Sequence, residues 1–229
     1  KIPLKKPVHF ALSYDEEVGC AGVDPMIQEI ARRGAAPEVV WVGEPTMWGV
    51  MSAHKGIRDY EVKITGKAAH SSDPRMGASA VHEAIELLVV IRRIAREQED
   101  NAPKESDFDP SWTTLTVGEL NGGTASNILA RDNPDQMLKP FFAEVERVRA
   151  RLEPLGPECG VEITMRADAP PLQVVRDSPA ERFMRALTGD NAIHVAAYAT
   201  EAGQFQRAGF PAVICGPGSV EQAHQPDEF

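Results

Sequence analysis

Long apolar runs are absent from this chain: no stretch approaches the ~20 residues that a bilayer span requires, so no membrane partner is expected. Positive charge is also scarce. Lysine and arginine number 24 against 34 acids, a formal net charge of −10. That balance disfavours nucleic acid and anionic lipid, since either would require a basic face. Cysteine is sparse and odd in number; Cys20, Cys159 and Cys215 form no close pair. This argues against a disulfide framework and against a cysteine-only zinc site. The opening KIPLKKPVHF has neither an apolar h-region nor a small-residue cleavage site, so no secretory signal is expected. What is present is 229 residues, 42% hydrophobic and 25% charged, an ordinary globular composition. The chain is long enough for one large domain or two modest ones. A cytoplasmic enzyme or binding protein is the expectation.

The local patterns suggest two units. Val8–Tyr14 reads as a short buried strand ending at Asp15-Glu16-Glu17. Asp24 is a candidate N-cap for a helix over Pro25–Arg33, with Gly34 at its end. Val39–Val42 is a second buried-strand candidate, running into Gly43-Glu44-Pro45. Strand, helix, strand in that order favours an α/β layer, where reactive groups gather at the carboxyl ends of strands. Then the period changes. Tyr60, Val62 and Ile64 alternate with charged residues, as in a half-wet strand, and Ala80, Ala84, Leu87 or Leu88, and Ile91 recur at helical spacing. Thr113–Val117 is β-branched, Phe141–Leu152 amphipathic, Val161–Met165 strand-like, and Glu97–Asp109 a polar connection. From Pro179 the α/β character returns, with a helix through Leu187 and a strand over Pro211–Cys215. The expected fold class is α/β: a zinc-peptidase-like catalytic domain with a mixed central sheet, interrupted by a smaller α+β, ferredoxin-like domain. The boundaries expected are 1–54 with 168–229 for the catalytic part and 55–167 for the lid or dimerisation part.

Several clusters could carry chemistry. Three adjacent carboxylates at Asp15-Glu16-Glu17 repel one another unless cations or donors offset them. A metal taking one acid while its neighbour serves as general base is one solution; a solvated acidic turn before a helix N-terminus is the other. Glu44, held extended by Pro45 at the end of an apolar strand, must be paired, ligated or returned to water. His70 lies among small residues that leave it accessible, although a loop histidine with no task is the commoner case. Asn121–Asn127 could bind an oxyanion through backbone N–H groups, or simply turn a hairpin. His224, after the glycine-rich Gly216–Ser219 bend, is a reasonable zinc ligand, oriented by Asp227 or Glu228. His9, His54 and His82 read as structural: His9 within a strand, His54 beside a strand start and His82 on a lid helix.

Taken in order, Ser13–Gly19, Gly43–Thr46, Ala53–Gly56, Gly66–Pro74, Asn121–Asn127 and Gly216–Glu228 resemble the co-catalytic zinc metallopeptidases. That family includes acetylornithine deacetylase, succinyl-diaminopimelate desuccinylase, aminoacylase and carboxypeptidase G. The match spans nearly the whole chain. His54-Lys55-Gly56, Thr200-Glu201-Ala202 and Gln222–Glu228 look nearest to the acetylornithine-cleaving branch.

The resemblance implies a deacylase of a small N-acyl amino acid, with N-acetyl-L-ornithine as the expected substrate and arginine synthesis as its place. It implies two zinc ions, with Co²⁺ or Mn²⁺ as possible substitutes. They would polarise the scissile carbonyl and acidify bound water. By the same resemblance Glu16 is the general base, Glu17 and His224 bind one zinc, and Glu44 binds the second. His70 stabilises the oxyanion across a homodimer interface in the lid domain. Asn127 and the loop of Gly216, Gly218 and Ser219 touch the substrate. Separately, its charge and the motif around it make Glu201 the candidate reader of a cationic amine. The family's upstream His-x-Asp segment and bridging Asp, its lid arginine after Asp132 and its closing helix find no match here. The sequence is therefore expected to join pieces of a longer chain. A metal-free binding or dimerisation module is the alternative from a different class.

Overall fold

The computed structural model describes residues 5–34, 36–69, 73–121, 124–126 and 137–223. Among the described residues, eight strands form two sheets. The first contains β1 (Val40–Val42), β2 (Met51–His54), β7 (His194–Ala196) and β8 (Ala212–Ile214), in the order β1-β8-β2-β7. It is mixed: β1 runs parallel to β8, β2 parallel to β7, and β2 antiparallel to β8. Every residue of β8 is buried, because helices cover both faces. Its alternation divides the core. Ala212 and Ile214 join Val23, Ile27 and Phe205 on one side, where α1 (Val23–Arg32) and α5 (Ala202–Arg207) pack. Val213 and Cys215 join Ala180 and Met184 on the other, beneath α4 (Pro179–Thr188). α4 starts with Ser178 as N-cap, its side chain accepting from the Glu181 N–H, and Pro179 at the first helical position.

The second sheet is antiparallel, in the order β4-β5-β3-β6. Its spine is β3 (Ile57–Thr65) against β6 (Gly160–Ala169), paired from Ile57 opposite Ala169 to Thr65 opposite Gly160. β4 (Glu119–Asn121) and β5 (Thr124–Ser126) pair with Asn121 opposite Thr124, as in a hairpin. The alternating Tyr60, Val62 and Ile64 turn inward, as their period suggests. They meet α2 (Ala80–Asp100), which buries Leu87, Ile91 and Ile94, and α3 (Lys139–Leu152), which buries Phe141, Val145, Val148 and Leu152. Both helical sets follow the 3–4 residue spacing that keeps one face on a sheet. The outer face of α2 leaves Val81, Ile85 and Val89 exposed at four-residue spacing.

Four sequence expectations are corrected. Val8–Tyr14 is not a strand, and Phe10 and Leu12 are 93% and 89% exposed; His9 accordingly lies in coil. An alternating apolar segment becomes a strand only when a neighbour takes its N–H and C=O groups, and none of the described strands does so. Asp24 sits inside the first turn of α1, where its charge faces the positive helix end, while Gly22 is the N-cap. α2 runs on to Asp100, through the start of the supposed polar connection. Thr113–Val117 is irregular, although Thr113 and Leu115 are buried; Leu115 joins the core of the second sheet without pairing to a strand.

The chain passes from the first sheet to the second at His54-Lys55-Gly56 and returns at Ala169-Pro170-Pro171. His54 is buried, with Nδ1 2.7 Å from the Lys55 carbonyl and Nε2 3.1 Å from the Gly203 amide. An amide N–H can only donate, so Nε2 accepts and the proton resides on Nδ1. The imidazole is thus neutral and fixed in tautomer. Lys55 is also buried, its ammonium donating to the carbonyls of Pro110 and Trp112. No helix among the described residues is long and apolar enough to cross a membrane.

Burial lowers the His54 pKa from 6.5 to about 4. Between those values the unfolded chain binds the proton and the folded chain does not. Stability contributed here is complete above pH 6.5 and declines as pH falls towards about 4, by up to roughly 3 kcal/mol. The stability gap between wild type and His54→Gln, measured by urea unfolding across this range, should therefore narrow on acidification. A pH-independent gap would show that His54 does not titrate in this manner.

Candidate metal and active site

The acid loop, the Gly43–Thr46 turn and α5 approach one another at the end of the first sheet. The acid loop is tightly curled. Gly19 and Cys20 N–H both donate to the Glu16 carbonyl, at 3.1 and 2.9 Å, and Ala21 N–H donates to the Asp15 carbonyl at 3.2 Å. Asp15 and Cys20 adopt positive φ, 58° and 57°, a conformation side chains other than glycine seldom take. The curl brings the buried Cys20 thiol to 3.6 Å from Glu16 Oε1, where the S–H donates to the carboxylate. Burial, then the neighbouring Glu16 and Glu201 charges, push that thiol up to about 12. It therefore stays protonated and is a donor, not a nucleophile.

Glu44 follows β1 and is partly buried. Burial first, then the charges of Glu16, Glu17 and Glu201, raise its pKa to about 7. Three separate chain segments thus bring four carboxylates into mutual range. Glu201 is itself raised by burial, against one stabilising hydrogen bond from Ser13, and one more group, Tyr198, is raised by burial and by Glu44.

The loop carrying Glu44 is laced to the glycine-rich bend. Trp48 N–H donates to the Gly216 carbonyl at 2.8 Å and Met47 N–H to the Gly218 carbonyl at 2.7 Å. Gly216 N–H donates to Thr46 Oγ1 at 3.1 Å, and the Thr46 hydroxyl reaches the Gly49 carbonyl at 2.8 Å. A Cβ on Gly216 would lie 2.4 Å from the Glu44 carbonyl oxygen. Gly218, at φ 78°, completes the bend, and the Ser219 hydroxyl accepts from the Glu221 N–H at 3.2 Å.

The charges of Glu16, Glu17 and Glu201 therefore act on Glu44, and Gly216, Gly218 and Ser219 border it through the Glu44 loop. His70, Asn127 and His224 lie outside the described residues. His54 sits behind the site and holds α5 by its amide. Sequence reading passed over Cys20, Tyr198 and Gln204. Only Cys20 carried a local signal, its place four residues after Glu16, and nothing in the sequence reveals what buries the other two.

Crowded carboxylate oxygens with no lysine or arginine lowering Glu44 or Glu201 suit a divalent cation. Among the described residues no three His, Cys, Asp or Glu side chains converge closely enough to hold a metal ion. The acids fit as part of a donor set that further residues would complete.

Residues 52–132 match the model of a peptidase dimerisation domain. The chain is 31% identical to the acetylornithine deacetylase of Edwardsiella ictaluri (strain 93-146) over 241 residues, covering 99% of this chain and 60% of that protein. It is 32% identical to the enzymes of the same name from Pasteurella multocida (strain Pm70) and Myxococcus xanthus, again over 99% of this chain and 60% of theirs. The chain belongs to the M20 peptidase family. It spans about 60% of the length of these relatives. In fold it is similar to a tripeptidase from Staphylococcus aureus (TM-score 0.56, 17% identity, 83% of this chain and 51% of that one). It is likewise similar to an aminopeptidase from Bacillus cereus ATCC 10987 (TM-score 0.58, 14% identity, 89% and 54%).

Gly216→Ala should cost about 1–3 kcal/mol in unfolding free energy, because its Cβ meets backbone that must shift. Gly43→Ala, where a Cβ would meet nothing within 4 Å, should change stability by no more than roughly 0.5 kcal/mol. Equal effects in denaturant titrations would remove the close-approach explanation.

Proposed function

We propose that the full-length protein is a zinc-dependent amidohydrolase that releases acetate from N-acetyl-L-ornithine, in arginine synthesis. The reading rests above all on Glu44, whose pKa is raised to about 7 by burial and then by the charges of Glu16, Glu17 and Glu201. Partial burial of Glu44 among like charges is unfavourable unless a ligand offsets the repulsion. Glu17 and Glu44, with His224, are the residues we assign to metal. Two zinc ions would supply Lewis acidity towards the amide carbonyl and its attacking water.

Glu16 is the general base. It takes the proton of the attacking water and later delivers it to the departing amine, so one carboxyl serves both half-steps. The Cys20 S–H at 3.6 Å from Oε1 restrains that carboxylate. Asn127, Gly216, Gly218 and Ser219 are assigned to substrate contact, and His70 to the oxyanion in a partner subunit. The match of residues 52–132 to a peptidase dimerisation domain and the exposed Val81, Ile85 and Val89 row support a homodimer through the lid. The free thiols of Cys20, Cys159 and Cys215 suit a reducing compartment such as the cytoplasm.

The test is acetate release from N-acetyl-L-ornithine by the full-length protein, with zinc and after chelation. Turnover should require the metal, and Glu16→Ala should lower kcat by roughly 10²–10⁴-fold. Zinc binding without turnover would move the substrate to another N-acyl amino acid or a dipeptide. Neither zinc nor turnover would replace this reading by a metal-free binding or dimerisation module.

A further inference from the structure

A strand of the second sheet reaches the acid loop of the first. Along β6, Val161 and Ile163 pair with Ile64 and Val62 and join the core beneath α2 and α3. The register then slips. Tyr60 stands opposite Met165 and Asp59 opposite Ala167, so Arg166 is an extra residue on β6. One extra residue reverses the face on which the following side chains emerge. Ala167 and Ala169 thus turn away from that core. Ala169 is buried instead in the cluster of Cys20, Val23 and Phe205 that belongs to the first layer.

Ala167 meets the acid loop itself. A Cβ on Gly19 would lie 2.4 Å from the Ala167 Cβ and 3.4 Å from its Cα, which leaves no room for a side chain there. Gly19 also holds φ at 95°, a conformation that favours glycine. Its N–H donates to the Glu16 carbonyl at 3.1 Å, so a displacement at Gly19 is passed to the residue that bears the candidate base. A second restraint comes from α5, where Gln204 Nε2 donates to the Cys20 carbonyl at 3.0 Å. Two consecutive residues of the loop are therefore held from two elements, Gly19 by β6 and Cys20 by α5. Close-packed contacts shift when they are overfilled, and here the part able to shift is the loop carrying Glu16 and Glu17.

We propose that Ala167 is a positioning residue: the end of β6 seats the acid loop at Gly19 and thereby fixes Glu16 and Glu17, so the second layer builds part of the first layer's site. The roles of those two acids rest on the amidohydrolase reading, but the seat can be tested without turnover. Ala167→Val suits a strand yet crowds Gly19. Two buried thiols report the result. Cys20, 3% exposed, adjoins the seat, whereas Cys215, 0% exposed, belongs to the core beneath α4. Such thiols resist alkylation until the structure around them opens. In the chelated full-length protein, iodoacetamide labelling mapped by peptide mass should rise about 10-fold at Cys20 in Ala167→Val, with Cys215 unchanged. Equal gains at both thiols would reveal general loosening, and a gain at neither would reveal an idle contact; either would overturn the seat. A cycle of Gly19→Ala with Ala167→Gly separates contact from backbone strain. The gain at Cys20 caused by Gly19→Ala should shrink at least ~3-fold when Ala167→Gly is present, and an identical gain in both backgrounds would also overturn it. Zinc affinity, measured by chelator competition, should fall about 10-fold in Ala167→Val; an unchanged affinity with Cys20 exposed would overturn the placement of Glu17. Wild-type protein that neither binds zinc nor releases acetate would discard the amidohydrolase reading, and thiol labelling would still decide the seat.

Discussion

Repulsion of Glu44 by Glu16, Glu17 and Glu201 is the constraint around which this end of the first sheet is organised. Like charges from three segments oppose one another, and burial first, then those charges, raise the Glu44 pKa to about 7. Each carrier is accordingly restrained by backbone. The acid loop is closed by bonds to the Asp15 and Glu16 carbonyls, the Glu44 loop by bonds to Gly216 and Gly218, and α5 by His54 and the close approach of Gly203 to Pro170. Preorganisation of this kind lets a site hold unfavourable charge until a cation arrives.

The same restraints connect the site to the crossing between the two sheets. His54 lies at the exit of β2, immediately before Lys55, and it is also the acceptor for the α5 amide. The returning strand passes Ala169 and Pro170, which face Gly56 and Gly203 at distances that leave no room for a side chain. Lys55 extends the junction by fastening the segment of Pro110 and Trp112. A buried neutral histidine and a buried ammonium capped by carbonyls are polar groups fully occupied by partners, and that is what makes their burial tolerable.

Much of the layer around the second sheet was legible from periodicity. Tyr60, Val62 and Ile64 alternate because one face of β3 meets α2 and α3, and the helical spacing of Leu87 and Ile91 has the same cause. The layer around the first sheet was less so. Val8–Tyr14 has the composition of a strand but no described neighbour, and pairing is not a local property. β2 and β7 went unseen because four and three residues are too few to display a period.

The sequence by itself determined the family resemblance, the acids at positions 16, 17, 44 and 201, and the alternation between an α/β layer and an α+β insertion. Those depend on residue type and spacing along the chain. Only the tertiary structure decided that the four acids share one field, that Cys20 donates to Glu16, and that Ala167 of β6 meets Gly19 of the acid loop. Burial and electrostatic proximity arise between residues as far apart in the chain as Glu16 and Glu201, and no local pattern encodes them.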